Sequence, residues 1–124
     1  MHVLSADRRR VTETPNAVMT TLASPSLGGS ATSVWLVEMR PGAEGPEHAF
    51  DSDVVWTLTD GDGVLRHGGS ERAVAAGDTL LLPAHEMRQL VGGVDGFRAV
   101  VVAEGASAVT RAEGAEGGVP PWVS

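Results

Sequence analysis

The sequence predicts an all-β protein, a sandwich or closed barrel of short strands forming one domain over residues 1–124. Three observations lead there. Apolar runs of strand length, rich in Val, Leu and Thr, recur along the chain, and some alternate with polar residues. Sixteen glycines and seven prolines divide these runs at short intervals, as turns do in antiparallel folds. No segment carries a helical period. A chain of 124 residues is also of single-domain size, long enough for one aliphatic core.

Taken in order, residues 1–29 form an N-terminal extension in which residues 12–23 supply one or two outer strands. Residues 33–40 read as a strand ended by Pro41-Gly42. A second strand covers 54–59 and closes at Asp60-Gly61-Asp62-Gly63. Residues 64–67 and 71–75, joined through Gly68-Gly69, read as a hairpin. Residues 79–82 stop at Pro83, residues 87–91 follow the next turn, and 97–103 form a last apolar strand. Residues 104–124 make a C-terminal tail. Its Ala/Gly/Glu-rich part, 104–118, reads as a loop, and Trp122, behind Pro120-Pro121, is expected to pack on the body of the domain or on a neighbouring subunit.

Composition excludes several function classes. The net charge of −7 argues against nucleic-acid or anionic-membrane binding, which depends on clustered Lys and Arg. The one basic run, Arg8-Arg9-Arg10, reads as solvated. No apolar run approaches the roughly 18 residues of a membrane span. The N-terminal residues lack signal-peptide character, so a cytoplasmic location is expected. The absence of cysteine and lysine removes disulfides, thiolate chemistry, Schiff bases and a P-loop. With no tyrosine, acid–base work falls to four histidines and the carboxylates.

Two segments carry a resemblance. Gly42-Ala-Glu-Gly-Pro-Glu-His48-Ala-Phe50-Asp-Ser-Asp-Val54 through Gly61 resembles the first signature motif of the cupin superfamily. Gly42, His48 and Gly61 fall on its glycines and first histidine, while Phe50 and Val54 stand at its second histidine and its glutamate. Gly77-Asp-Thr-Leu-Leu-Leu-Pro83-Ala-His85-Glu-Met-Arg88 resembles the second motif. There Gly77 and Pro83 match, His85 replaces a glycine, Arg88 the metal-binding histidine, and Gly92 the asparagine. The resemblance spans residues 30–103 and implies a single cupin-type β-barrel, or jelly roll, whose ligand positions face inward. It also implies a homodimer.

If those positions point into the barrel, His48, Phe50, Val54 and Arg88 converge there. Strand alternation adds Trp56 and Leu58, with Trp35, Val37, Met39, Leu80 and Leu82 sharing the interior. The expected site has His48 and Arg88 as catalytic pair, with Trp35, Met39, Phe50, Val54, Trp56, Leu82 and the rim residue His85 around a ligand. An apolar bowl with few polar groups suits a small organic, carbonyl-bearing or anionic molecule. His48 would move a proton near neutral pH while Arg88 holds an oxyanion. The leading reading is a metal-independent enzyme that cyclises, isomerises or dehydrates a small carbonyl or polyketide-like compound, with no cofactor. A non-catalytic binding or sensing module is the second. A metal-dependent barrel, with a divalent transition metal on His48 and His85, is the third.

Overall fold

Alternation of apolar and polar residues, and the turns between them, build two antiparallel sheets. The structure is a computed structural model and describes residues 1–124 apart from the side chain of Glu113. Ten strands follow a short 3-10 turn at Ala6–Arg8: β1 Arg10–Glu13, β2 Ala17–Ala23, β3 Thr32–Met39, β4 His48–Phe50, β5 Val54–His67, β6 Ser70–Ala75, β7 Thr79–Leu82, β8 Gln89–Glu104, β9 Val109–Arg111 and β10 Glu116–Gly118. The large sheet runs β1-β2-β3-β8-β5-β6, with β7 also on β5; the small one runs β10-β9-β4. No helix is long and apolar enough to cross a membrane.

Strand alternation fills the space between the sheets. Ser33, Trp35, Val37 and Met39 of β3 face inward, as do Val54, Trp56 and Leu58 of β5 and Phe97, Ala99, Val101 and Ala103 of β8. Burying a large apolar side chain contributes roughly 1.5–3 kcal/mol. This row of aliphatic and aromatic residues therefore serves as the core despite the scarcity of aromatics.

The expected hairpin is present. Arg66 pairs with Glu71 and His67 with Ser70, and Gly68 and Gly69 both take positive φ, as a two-residue primed turn requires. Elsewhere the strands are longer than the sequence suggests. Residues 54–59 and 64–67 are one strand, β5, and residues 87–91 and 97–103 belong largely to β8. The glycine-rich stretch between them is not a turn. It is a bend, with register shifts at Leu58/Asp60 and Gly61/Gly63 against β8.

The ends differ more. Residues 12–23 do supply strands, β1 and β2, but β2 is not an outer layer: Ala17, Met19 and Thr21 are buried. The segment read as a loop, 104–118, contributes β9 and β10. Pairing with β4 orders it, through His48↔Arg111, Ala49↔Thr110 and Phe50↔Val109. Backbone hydrogen bonds satisfied by a neighbour need no strand-like composition.

Candidate functional site

A cavity of about 430 Å³ lies between the sheets. Its walls come from β2, β3, β4, β5, β8 and β9, closed on one side by Pro120 and Trp122. All three tryptophans of the chain, Trp35, Trp56 and Trp122, line it. Phe50 joins them, its ring centroid 6.3 Å from that of Trp35. Polar groups are few: Thr14, Asn16, Glu44, His48 and Arg111. Trp56 lines the cavity through its apolar ring: its indole Nε1 is closed off from solvent, with no hydrogen-bond partner among the described residues. A buried donor of that kind is costly unless something accepts from it.

His48 is half-buried at the start of β4, its ring edge-on to Phe50 at 5.5 Å. Its backbone exchanges both hydrogen bonds with Arg88, at 3.0 and 2.9 Å. Nδ1 lies 2.8 Å from the Pro46 carbonyl oxygen. A carbonyl can only accept, so Nδ1 carries the proton and, in the neutral ring, Nε2 holds the lone pair. Burial pushes the His48 pKa down to about 4; the Pro46 hydrogen bond opposes this, and the charges of Arg88 and Arg111 reinforce it. The imidazole is therefore neutral at pH 7 and presents an acceptor. This corrects the expectation of a group titrating near neutrality.

The structure brings Trp35, Met39, His48, Phe50 and Trp56 together on the cavity wall, as expected. Arg88 is not there. Its guanidinium packs on Phe50, with Cζ 5.2 Å from the ring centroid, and borders a second, smaller cavity together with Leu82. Val54 is wholly buried in the core and lines neither cavity. His85 is exposed, at φ 68° in a turn position that favours glycine, and its N–H donates to the Phe50 carbonyl. Alternation predicted buried side chains correctly, but not which cavity each one lines.

Arg88 also lacks a carboxylate partner among the described residues. Glu86 pairs with His67 at 3.1 Å and Glu38 with Arg98 at 3.6 Å. Arg88 is 2% exposed, and none of its three guanidinium nitrogens has a partner among the described residues. Burial lowers its pKa to about 10, which leaves it charged at pH 7.

Sequence reading missed Arg111, Asn16 and the cavity-facing role of Trp122. Arg111 sits directly opposite His48 in the β4–β9 register and lines the same cavity. Its side chain crosses Gly117, where a Cβ would come within 3.2 Å of Nε and 3.3 Å of Cγ. The one available signal was that glycine at a packed position.

No family model matches the sequence, and no curated protein matches it. Solved structures do. The polyketide cyclase RemF from Streptomyces resistomycificus superposes with a TM-score of 0.75 at 19% identity, over 90% of this chain and 85% of that one. An RmlC-like cupin from Shewanella frigidimarina gives 0.71 at 18%, over 86% and 92%. The chain has the cupin fold. A sugar phosphate isomerase of the cupin superfamily from Silicibacter pomeroyi gives 0.61 at 25%, over 77% and 66%.

The motif positions that resemble cupin metal ligands fall here on His48, Phe50, Val54 and Arg88. The residues of this chain do not fit a divalent cation there. Phe50 and Val54 offer no donor atom, Arg88 brings a positive charge, and His85 is on the outside. Among the described residues, no three His, Asp or Glu side chains come together as a ligand set.

Proposed function

We propose that this cupin is a small-molecule enzyme that carries out a metal-independent, redox-neutral proton transfer on a ring-bearing carbonyl compound, leading to cyclisation, isomerisation or dehydration. The observation that carries the reading is one apolar cavity lined both by His48, whose Nε2 is unprotonated at pH 7, and by Arg111, which stands opposite it. The volume and the aromatic walls suit a ligand of one or two rings. Two of the similar structures are a polyketide cyclase and a sugar phosphate isomerase, which supports small-molecule chemistry in such a barrel.

In this reading Arg111 donates to the substrate carbonyl oxygen, and His48 Nε2 takes a proton from the adjacent carbon. The C–H electron pair moves into the enolate, and the new imidazolium returns the proton to carbon or to the oxygen that leaves. Arg111, opposite His48, favours the enolate charge. Arg88, behind Phe50, adds positive potential without touching the ligand.

A second reading, binding without turnover, is favoured by the low pKa of His48, which makes the ring a weak base. One experiment separates the two. Aryl methyl ketones are titrated against tryptophan emission, then incubated with the protein in deuterated water. Enzyme action gives quenching together with deuterium exchange beside the carbonyl, and His48→Gln keeps the quenching but loses the exchange by roughly 100-fold or more. Quenching with no exchange in the wild type assigns a binding module, and exchange unchanged in His48→Gln refutes the base.

A further inference from the structure

We propose that the second cavity, behind Phe50, is a binding site for a small planar monoanion of carboxylate type, with Arg88 as its cation. This site is separate from the cavity that holds His48, and the proposal does not rest on the chemistry assigned there.

The cavity has a volume of about 110 Å³. Leu65, Leu81, Leu82 and Pro83 form its apolar walls, with His67 and Glu86 also on its lining. Arg88 borders it while almost wholly buried; all three guanidinium nitrogens are closed off from the cavity and lack partners among the described residues, so an anion must part a wall to reach them. The Phe50 ring lies 5.2 Å from Cζ. A ring satisfies none of the N–H donors of a guanidinium, which lie in the guanidinium plane. Backbone bonds to His48 hold the residue in place, so the charged group does not reach solvent by a simple shift of the strand.

Charge and size select the ligand. A buried charge is stable only when paired, and Glu86 and Glu38 pair elsewhere, with His67 and with Arg98. One positive charge calls for one negative charge. A dianion would leave net charge against leucine walls and beside Glu86. The fork of a guanidinium meets a flat, two-oxygen anion through parallel hydrogen bonds, so formate, nitrate or hydrogencarbonate fits better than a sphere or a tetrahedron. A free anion from solution satisfies this chemistry, and so does the carboxylate of a larger ligand threaded past the His67–Glu86 pair.

The test is thermal unfolding of the full chain in sodium formate, sodium nitrate, sodium sulfate and sodium gluconate at equal ionic strength. A saturable rise in Tm is expected with formate and nitrate only, roughly 5 °C at tenfold excess over Kd. Arg88→Met should abolish it and, without anion, unfold no earlier than the wild type, because a buried unpaired charge has been removed. If that variant fails to fold, Leu65→Phe narrows the cavity while keeping Arg88, and it too should lose the rise. Benzoate, which carries a carboxylate on a ring, separates the sources: no rise assigns a free small anion, and a rise equal to that of formate assigns the carboxylate of a larger ligand and overturns the free-anion arm. An anion-independent Tm in the wild type, or the same rise in whichever variant folds, overturns the site itself.

Discussion

His48 links the cavity to the stability of the whole chain. Its pKa is 6.5 in a model peptide and about 4 in the fold, so between those values the unfolded chain binds the proton more readily. Its contribution is complete above pH 6.5 and is lost as pH falls toward 4. At about 1.4 kcal/mol per pKa unit, the loss is at most roughly 3 kcal/mol. Urea unfolding of the wild type and His48→Gln at pH 7, 5.5 and 4.5 should therefore converge, the wild type losing more stability with each step. Parallel curves would mean the ring is more solvated than its surroundings indicate. A catalytic base with this pKa also predicts that kcat/KM is flat from pH 7 to 5 and falls only near pH 4. The importance of His48 was legible from its motif position, but its protonation was not. Protonation depends first on burial and then on Pro46, Arg88 and Arg111, and the strand pairing that buries the ring and brings Arg88 and Arg111 close is not written in local sequence.

Strands β5 and β8 show how an element can exceed its local signals. Gly61 has φ 76°, and a Cβ there would collide with the Gly96 carbonyl oxygen and sit 2.8 Å from Phe97 Cα. The bend of β5 over β8 needs both the backbone freedom and the absent side chain. Gly68 has φ 56° but nothing within 4 Å of a built Cβ. Gly68→Ala should therefore cost about 1 kcal/mol, from φ alone, and Gly61→Ala 3 kcal/mol or more, measured by urea unfolding. Equal losses would show that the bend relaxes without difficulty. Strand β9 escaped sequence reading because three residues flanked by Ala, Gly and Glu carry no period. Register with β4 makes it a strand, and the same register sets Arg111 across from His48.

At the level of the molecule, the last residues are held across the core. Thr21 Oγ1 donates to the Trp122 carbonyl at 2.8 Å and Ser33 Oγ to the Val123 carbonyl at 2.6 Å, while Val123 is fully buried. Each buried bond contributes about 1 kcal/mol, and losing it strands a carbonyl. Ser33→Ala with Thr21→Val should lower stability by roughly 2–4 kcal/mol and shift tryptophan emission to the red as Trp122 loosens. Unchanged emission would place Trp122 under the control of Pro120 and Pro121 instead. Since every tryptophan borders one cavity and no tyrosine is present, emission reports on that cavity alone.

Local chemistry determined the strands with strong alternation, the Gly68-Gly69 turn, the inward-facing rows of β3 and β5, and the loss of metal donors at residues 50, 54 and 88. Each of these depends on a period of two or on what a side chain can donate. Tertiary structure alone decided that Phe50 packs against both His48 and Arg88, that Arg88 has no carboxylate among the described residues, and that the tail completes both a sheet and a cavity. Those facts arise from pairing between strands far apart in the chain, where a backbone hydrogen bond places a residue whatever its neighbours in sequence.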